Sequence, residues 1–63
     1  MSETTLEMAK RHVEQAERAV EDQRARIARL DQDGHDTTMA RAVLETFETT
    51  LRVARSDLAL LGG

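Results

Sequence analysis

The stretch that decides the fold is Asp31-Gln32-Asp33-Gly34-His35-Asp36, which holds the only glycine in the interior of the chain and its densest cluster of turn-forming residues. Gly34 divides the 63 residues into two nearly equal segments. Each segment has the apolar spacing of one long helix. A turn of about four residues makes such helices antiparallel neighbours. The sequence therefore predicts an all-α fold, a single antiparallel two-helix hairpin over residues 1–63, with helices at about 4–32 and 37–61.

Apolar residues recur every seven positions in both segments and define the a and d positions of a heptad repeat. In the first segment the a positions hold Leu6, Val13, Val20 and Ile27, and the d positions hold Ala9, Ala16, Gln23 and Leu30. In the second segment the a positions hold Thr37, Leu44, Leu51 and Leu58, and the d positions hold Ala40, Phe47, Ala54 and Leu61. In an antiparallel pair a faces d, and the facing residue numbers all sum to 67. Gln23 is the polar exception, and it either fixes the register or the oligomeric state, or extends to the edge of the seam.

Residues suited to helix ends flank both segments. Thr4 and Glu7 have the spacing of a capping box, with Ser2 as a rival cap. Gly34 suits the left-handed conformation that ends a helix, and Asp36 or Thr37 can cap the next one.

The chain has few residues with which to build a core. Only sixteen of its apolar side chains are larger than alanine, and it has no cysteine, so disulfides are excluded. Chains of this size usually need such a crosslink, a metal or a partner subunit. The second segment also carries an extra apolar stripe at positions c and g, formed by Met39, Val43, Val53 and Leu60. We expect a homodimer in which this stripe is buried in a four-helix bundle. The alternative is a marginal monomer with scattered apolar surface residues.

No residue pattern points to catalysis, a cofactor or a metal site. Asp31-x-Asp33-Gly34 has the spacing of part of a calcium loop, but that alignment puts Arg29 and Ala40 at the first and last ligand positions. His12 and His35 lie 23 positions apart, too far for one site along a continuous helix. We expect His12 to pair with Asp57 across the helices. The sequence therefore predicts a protein that is not an enzyme.

The charge pattern leaves two functional hypotheses. The first is a noncatalytic protein–protein interaction or structural module that self-associates through the second helix and contacts an unidentified protein partner. The second is a small regulator that binds an anionic ligand or nucleic acid through the arginines near the turn, which are Arg24, Arg26, Arg29 and Arg41. A net charge of -3 and a single aromatic residue disfavour nucleic acid. Several of the charges have partners four residues away, as in Glu14–Arg18, Asp22–Arg26 and Arg41–Glu45.

No membrane or export segment is expected. The longest apolar run is Leu58 to Leu61, whereas a spanning helix needs about 20 apolar residues. Glu3 and Glu7 occupy the stretch where a signal peptide would be basic and then apolar. We therefore expect a cytoplasmic protein.

Three short stretches carry a family resemblance: Ala28-Arg29-Leu30, Gly34-His35-Asp36-Thr37 and Leu44-Glu45-Thr46-Phe47-Glu48. With them the chain resembles short, uncharacterised alphaproteobacterial proteins built as helix, Gly-His-Asp-Thr turn and helix. The resemblance covers most of the chain and implies a hairpin and a bacterial cytosolic origin. Since that family has no assigned activity, it implies no function and no site.

Overall fold

A computed structural model describes residues 3–62 of the chain as two helices, α1 over Thr5–Gln32 and α2 over Thr38–Leu60. Both helices end within one residue of the predicted limits. They pack against each other in a body that measures 47 × 22 × 13 Å. Arg24 of α1 bonds Glu48 of α2, whereas Glu17, earlier in α1, bonds Arg55, later in α2, so the helices run antiparallel. The predicted helical hairpin is confirmed.

The start of α1 is held by the predicted capping box. The Glu7 backbone N–H donates to the Thr4 hydroxyl at 3.1 Å, and the Thr4 backbone N–H donates to the Glu7 carboxylate at 3.3 Å. The Thr4 hydroxyl also donates to that carboxylate at 2.8 Å. The two hydrogen bonds that the Glu7 carboxylate accepts, from the Thr4 hydroxyl and the Thr4 backbone N–H, favour its ionised form and lower the pKa of Glu7. The rival cap, Ser2, lies outside the described residues.

The turn at Gly34 ends α1 by the mechanism that the sequence predicts. Gly34 has φ +75°, a left-handed conformation that costs glycine little because it has no Cβ. The Gly34 N–H donates to the Asp31 carbonyl at 3.1 Å, and the His35 N–H donates to the Leu30 carbonyl at 2.9 Å. This pair of bonds is a Schellman motif, which satisfies carbonyls that the last helical turn leaves free.

The start of α2 uses only one of the two predicted caps. Thr37 occupies the N-cap position, but its side chain makes no capping hydrogen bond. The Asp36 carboxylate accepts instead from the Thr38 backbone N–H at 2.9 Å and from the Thr38 hydroxyl at 2.7 Å. Both bonds lower the pKa of Asp36.

The seam between the helices follows the predicted a and d positions. Ala9, Ala16, Val20, Gln23 and Ile27 are buried, and the other seam positions are half-buried with one exception. That exception is Leu61, which is 46% exposed because α2 ends at Leu60 and Leu61 belongs to the turn that follows.

Gln23 lies inside the seam. Its side-chain amide donates to the Ala40 carbonyl at 2.8 Å, and only 7% of the residue is exposed. Of the two interpretations of this residue, the structure therefore favours a buried polar link between the helices over a side chain that reaches the edge.

Candidate functional site

The seam has two flanks, and only one of them is closed by charged side chains. We call the e positions of both helices the charged flank: Lys10, Glu17, Arg24, Asp31, Arg41, Glu48 and Arg55. Across it the Arg24 guanidinium lies 3.1 Å from the Glu48 carboxylate, and the Arg55 guanidinium lies 3.5 Å from the Glu17 carboxylate. Long side chains of opposite charge therefore bridge the helices on this side.

The g and c positions of both helices form the opposite side, which we call the groove flank. Here a groove of about 610 Å³ runs between α1 and α2. Small residues line its middle, namely Ala16 and Ala19 on α1 and Thr46, Thr49, Thr50 and Ala54 on α2. Because these side chains are short, they do not reach across to the other helix, and the space between the helices stays open.

The threonines of the groove make their hydrogen bonds within α2. The hydroxyls of Thr46, Thr49 and Thr50 donate to the carbonyls of Ala42, Glu45 and Thr46 respectively, each four residues earlier, at 3.0–3.3 Å. Such bonds satisfy the hydroxyl donor without water or a partner. A covering surface would not have to supply an acceptor for these hydroxyls.

The four residues of the predicted oligomer interface all lie exposed on the groove flank. The exposed fractions are 79% for Met39, 40% for Val43, 55% for Val53 and 84% for Leu60. Within residues 3–62 the only other exposed large apolar residues are Met8 at 42% and Leu61 at 46%. Met8 also lies at a c position. Five of the six therefore share one flank, which single exposed residues scattered at random would not do.

His12 and Asp57 lie together at the end of the groove that is farther from the turn. The expected ion pair between them is absent from the part of the chain that the structure describes. The expectation placed the two residues correctly on one flank but was wrong about the contact.

The arginines near the turn do not converge on one point. Arg24 is paired with Glu48, and the Arg41 guanidinium donates to the Thr37 hydroxyl at 2.9 Å. Arg26 and Arg29 line a depression of about 430 Å³ on the groove flank, together with the carboxylates of Asp22 and Asp33. An anion in that depression would meet two acidic side chains as well as two basic ones, which weakens the case for an anion site.

The ion pairs among the described residues differ from the i,i+4 charge pairs that the sequence offers. Within residues 3–62 the ion pairs are Arg11–Glu3, Arg24–Glu48 and Arg55–Glu17. Glu14–Arg18, Asp22–Arg26 and Arg41–Glu45, which have the i,i+4 spacing, are not among them. Two of the three observed pairs join residues on different helices.

No group of three His, Asp or Glu side chains in residues 3–62 could hold a metal ion. Neither α1 nor α2 is long and apolar enough to cross a membrane.

Comparisons with known proteins add nothing to the geometry. No protein-family model, no curated protein and no solved structure matches the chain. The resemblance to alphaproteobacterial proteins stays a prediction, and the groove flank is the feature on which a function can be argued.

Sequence reasoning identified the apolar stripe of α2 but missed the groove beside it. A signal was present, since Ala19 and Thr50 occupy g positions that face each other in the predicted register. Two short side chains at facing flank positions indicate a gap.

Proposed function

We propose that the chain is a noncatalytic interaction module that self-associates through the groove flank of α2, two hairpins forming a four-helix bundle. The observation that carries the proposal is the concentration of exposed apolar residues, Met39, Val43, Val53 and Leu60, around an open groove on one flank. A second copy of the chain is the occupant that the surface areas favour.

The first argument from area is that the hairpin exposes too much surface. A globular monomer of 7.1 kDa is expected to expose roughly 4,100 Å². This chain exposes 5036 Å². The excess is on the order of 900 Å², close to the ~800 Å² that each partner buries in an interface of standard size. One face of a body 47 Å long and 22 Å wide can supply such an area.

The second argument is the incomplete core. No residue of α2 is buried, and none of the large side chains in residues 3–62 is fully buried. Apolar surface contributes to stability roughly in proportion to the area removed from water. A partner on the groove flank would remove from water the side of α2 that α1 leaves uncovered.

The test is the mass in solution together with melting at several concentrations. We expect twice the chain mass at micromolar concentration by sedimentation equilibrium. We also expect a melting temperature that falls by several degrees for each tenfold dilution, because association stabilises the folded state by mass action. A monomer at high micromolar concentration whose melting temperature ignores dilution would contradict the proposal.

The second hypothesis, a regulator that binds an anion or nucleic acid through the turn-end arginines, rests on weaker ground. Arg24 and Arg41 are engaged within the hairpin, and Asp22 and Asp33 share the depression of the other two arginines. Binding of a phosphorylated ligand or an oligonucleotide that weakens steeply with salt would favour it. The cytoplasmic location and a further protein partner stay predictions of the sequence.

A further inference from the structure

We infer that the two copies meet head to tail, with the turn end of each hairpin lying over the terminal end of the other and α2 packed antiparallel on the α2 of the second copy. This inference rests on the proposed self-association. The two copies are then related by a two-fold axis that runs perpendicular to the helices.

The first reason is that the apolar stripe belongs to α2 alone. The α1 side of the groove flank is exposed and mostly polar, with Gln15, Asp22, Arg26 and Arg29 at its c and g positions. A two-fold axis parallel to the helices would lay each α2 on the second copy's α1. The apolar stripe would then be covered by charged and amide side chains, which lose hydration without gaining partners.

An axis that crosses the helices lays each α2 on the other α2 instead. Met39 and Val43 lie before residue 49, the midpoint of Thr38–Leu60, and Val53 and Leu60 lie after it. Head-to-tail packing about this midpoint brings the turn-end pair of one copy onto the terminal-end pair of the other. Both halves of the stripe are then covered by apolar surface.

Charge along the groove flank favours the same arrangement. At the terminal end Asp57 lies beside His12, whereas at the turn end Arg26 has Asp22 and Asp33 beside it. If like ends met, each of these groups would lie at the same level as its own copy, diagonally across the bundle, Asp57 with Asp57 and Arg26 with Arg26. In the head-to-tail arrangement Arg26 lies at the level of the second copy's Asp57 instead, and no residue is level with its own copy except at the midpoint. Apposed like charges disfavour an interface, and opposite charges fix its orientation.

The experiment measures distances between spin labels placed at single introduced cysteines, a clean design because the chain contains no cysteine. Gln32→Cys carries the label at the turn end, and Arg18→Cys carries it near the midpoint of α1. Both residues are exposed and occupy f positions, away from the seam. Dipolar spectroscopy of each labelled protein, with the mass measured in the same sample, gives the distance between the two copies.

The two labels separate the arrangements. Because α1 is 28 residues long, at a rise of 1.5 Å per residue head-to-tail copies place the Gln32→Cys labels about 40 Å apart or more. The Arg18→Cys labels, near the axis, then lie only the width of the bundle apart, roughly 20–30 Å or two to three helix diameters. This combination is the expected result.

Two other outcomes overturn the inference in different ways. Short distances for both labels in a dimer would show that like ends meet, which overturns the head-to-tail arrangement and leaves the self-association intact. The absence of dipolar coupling for both labels, with a monomer mass, would overturn the self-association and the orientation with it.

Discussion

Across the charged flank Arg24 reaches Glu48 and Arg55 reaches Glu17, whereas on the groove flank Ala19 and Thr50 line an open groove between the helices. The two flanks share the same helices and the same seam, so the heptad repeat does not explain the difference. Side-chain length and charge at the e and g positions do. A hairpin with one closed flank and one open flank has a single side on which another chain can pack.

The difference also separates two kinds of stabilising interaction. The ion pairs of the charged flank are more than 40% exposed on both partners, and exposed pairs contribute little to stability. The groove flank holds uncovered apolar surface, which contributes only once it is buried. The comparison predicts that charged-flank variants alter the hairpin slightly, and that groove-flank variants alter the assembly strongly.

The largest effect is expected from a charge placed in the apolar stripe. Leu60→Glu should weaken self-association on the order of 100-fold in Kd, because the carboxylate would be buried without a partner. Ala59→Glu is the matched control, because Ala59 is the residue next to Leu60, is exposed and lies at a b position beside the charged flank. Sedimentation equilibrium of both variants measures the two constants. Equal Kd values for the two variants would break the distinction between the flanks.

The next effect concerns the seam that the flanks share. Gln23→Ala should lower the free energy of unfolding by about 1–2 kcal/mol, because it removes the hydrogen bond to the Ala40 carbonyl and part of the buried volume. Gln32→Ala changes the same residue type at an exposed f position, away from the seam and from the groove flank. Urea denaturation at one fixed concentration compares the two variants. If Gln32→Ala proved as costly as Gln23→Ala, the seam hydrogen bond would not explain the loss.

A smaller effect is expected on the charged flank. A double-mutant cycle with Arg24→Gln and Glu48→Gln should give a coupling of about 0.2–1 kcal/mol, which decreases as salt is added. The mass in solution should not change in any of the three variants. A dimer that dissociates when this pair is removed would place the interface on the wrong flank.

The smallest effect concerns the helix caps, which lie on neither flank. The pKa of Glu7 is lowered from its ordinary 4.5 and that of Asp36 from 3.8 by the hydrogen bonds that their carboxylates accept. Their contribution to stability is therefore present above those values and is lost as the pH falls through the lowered folded pKa. Glu7→Ala should melt below the unmodified chain near neutral pH, and the difference in melting temperature should narrow as the pH falls below 4.5 and through the lowered folded pKa of Glu7. A gap that is constant with pH would mean that the charge of Glu7 does not contribute.

Most of the fold follows from short-range patterns in the sequence. The heptad positions, the capping box of Thr4 and the left-handed Gly34 are local features, and the structure contains each of them. Leu61 departs from the pattern because a periodic repeat does not show at which residue the last helical turn ends. Asp36 and Thr37 were both predicted as candidate caps of α2. Asp36 supplies the capping side chain because its carboxylate accepts a hydrogen bond from the Thr38 N–H.

The flanks were harder to predict because they depend on how closely the two helices approach. A pair four residues apart, such as Asp22–Arg26, can be found by counting, but exposed side chains hold such pairs weakly. Arg24 forms its pair with Glu48 on the other helix, and that partner is visible only once the register and the e positions are considered together. The groove likewise depends on the space between helices, which residue spacing alone does not describe.

The tight turn at Gly34 also has a kinetic meaning. The contacts between the helices begin next to a short connection, so the chain that must be closed before they form is short, and loop-closure entropy is small. Helical proteins dominated by such local contacts fold in microseconds to milliseconds. The hairpin should therefore close at a rate that does not depend on protein concentration, whereas the meeting of two copies is bimolecular and slows as the solution is diluted. For the proposed dimer, the encounter between chains in dilute solution, rather than the folding of each chain, should determine how quickly the dimer accumulates.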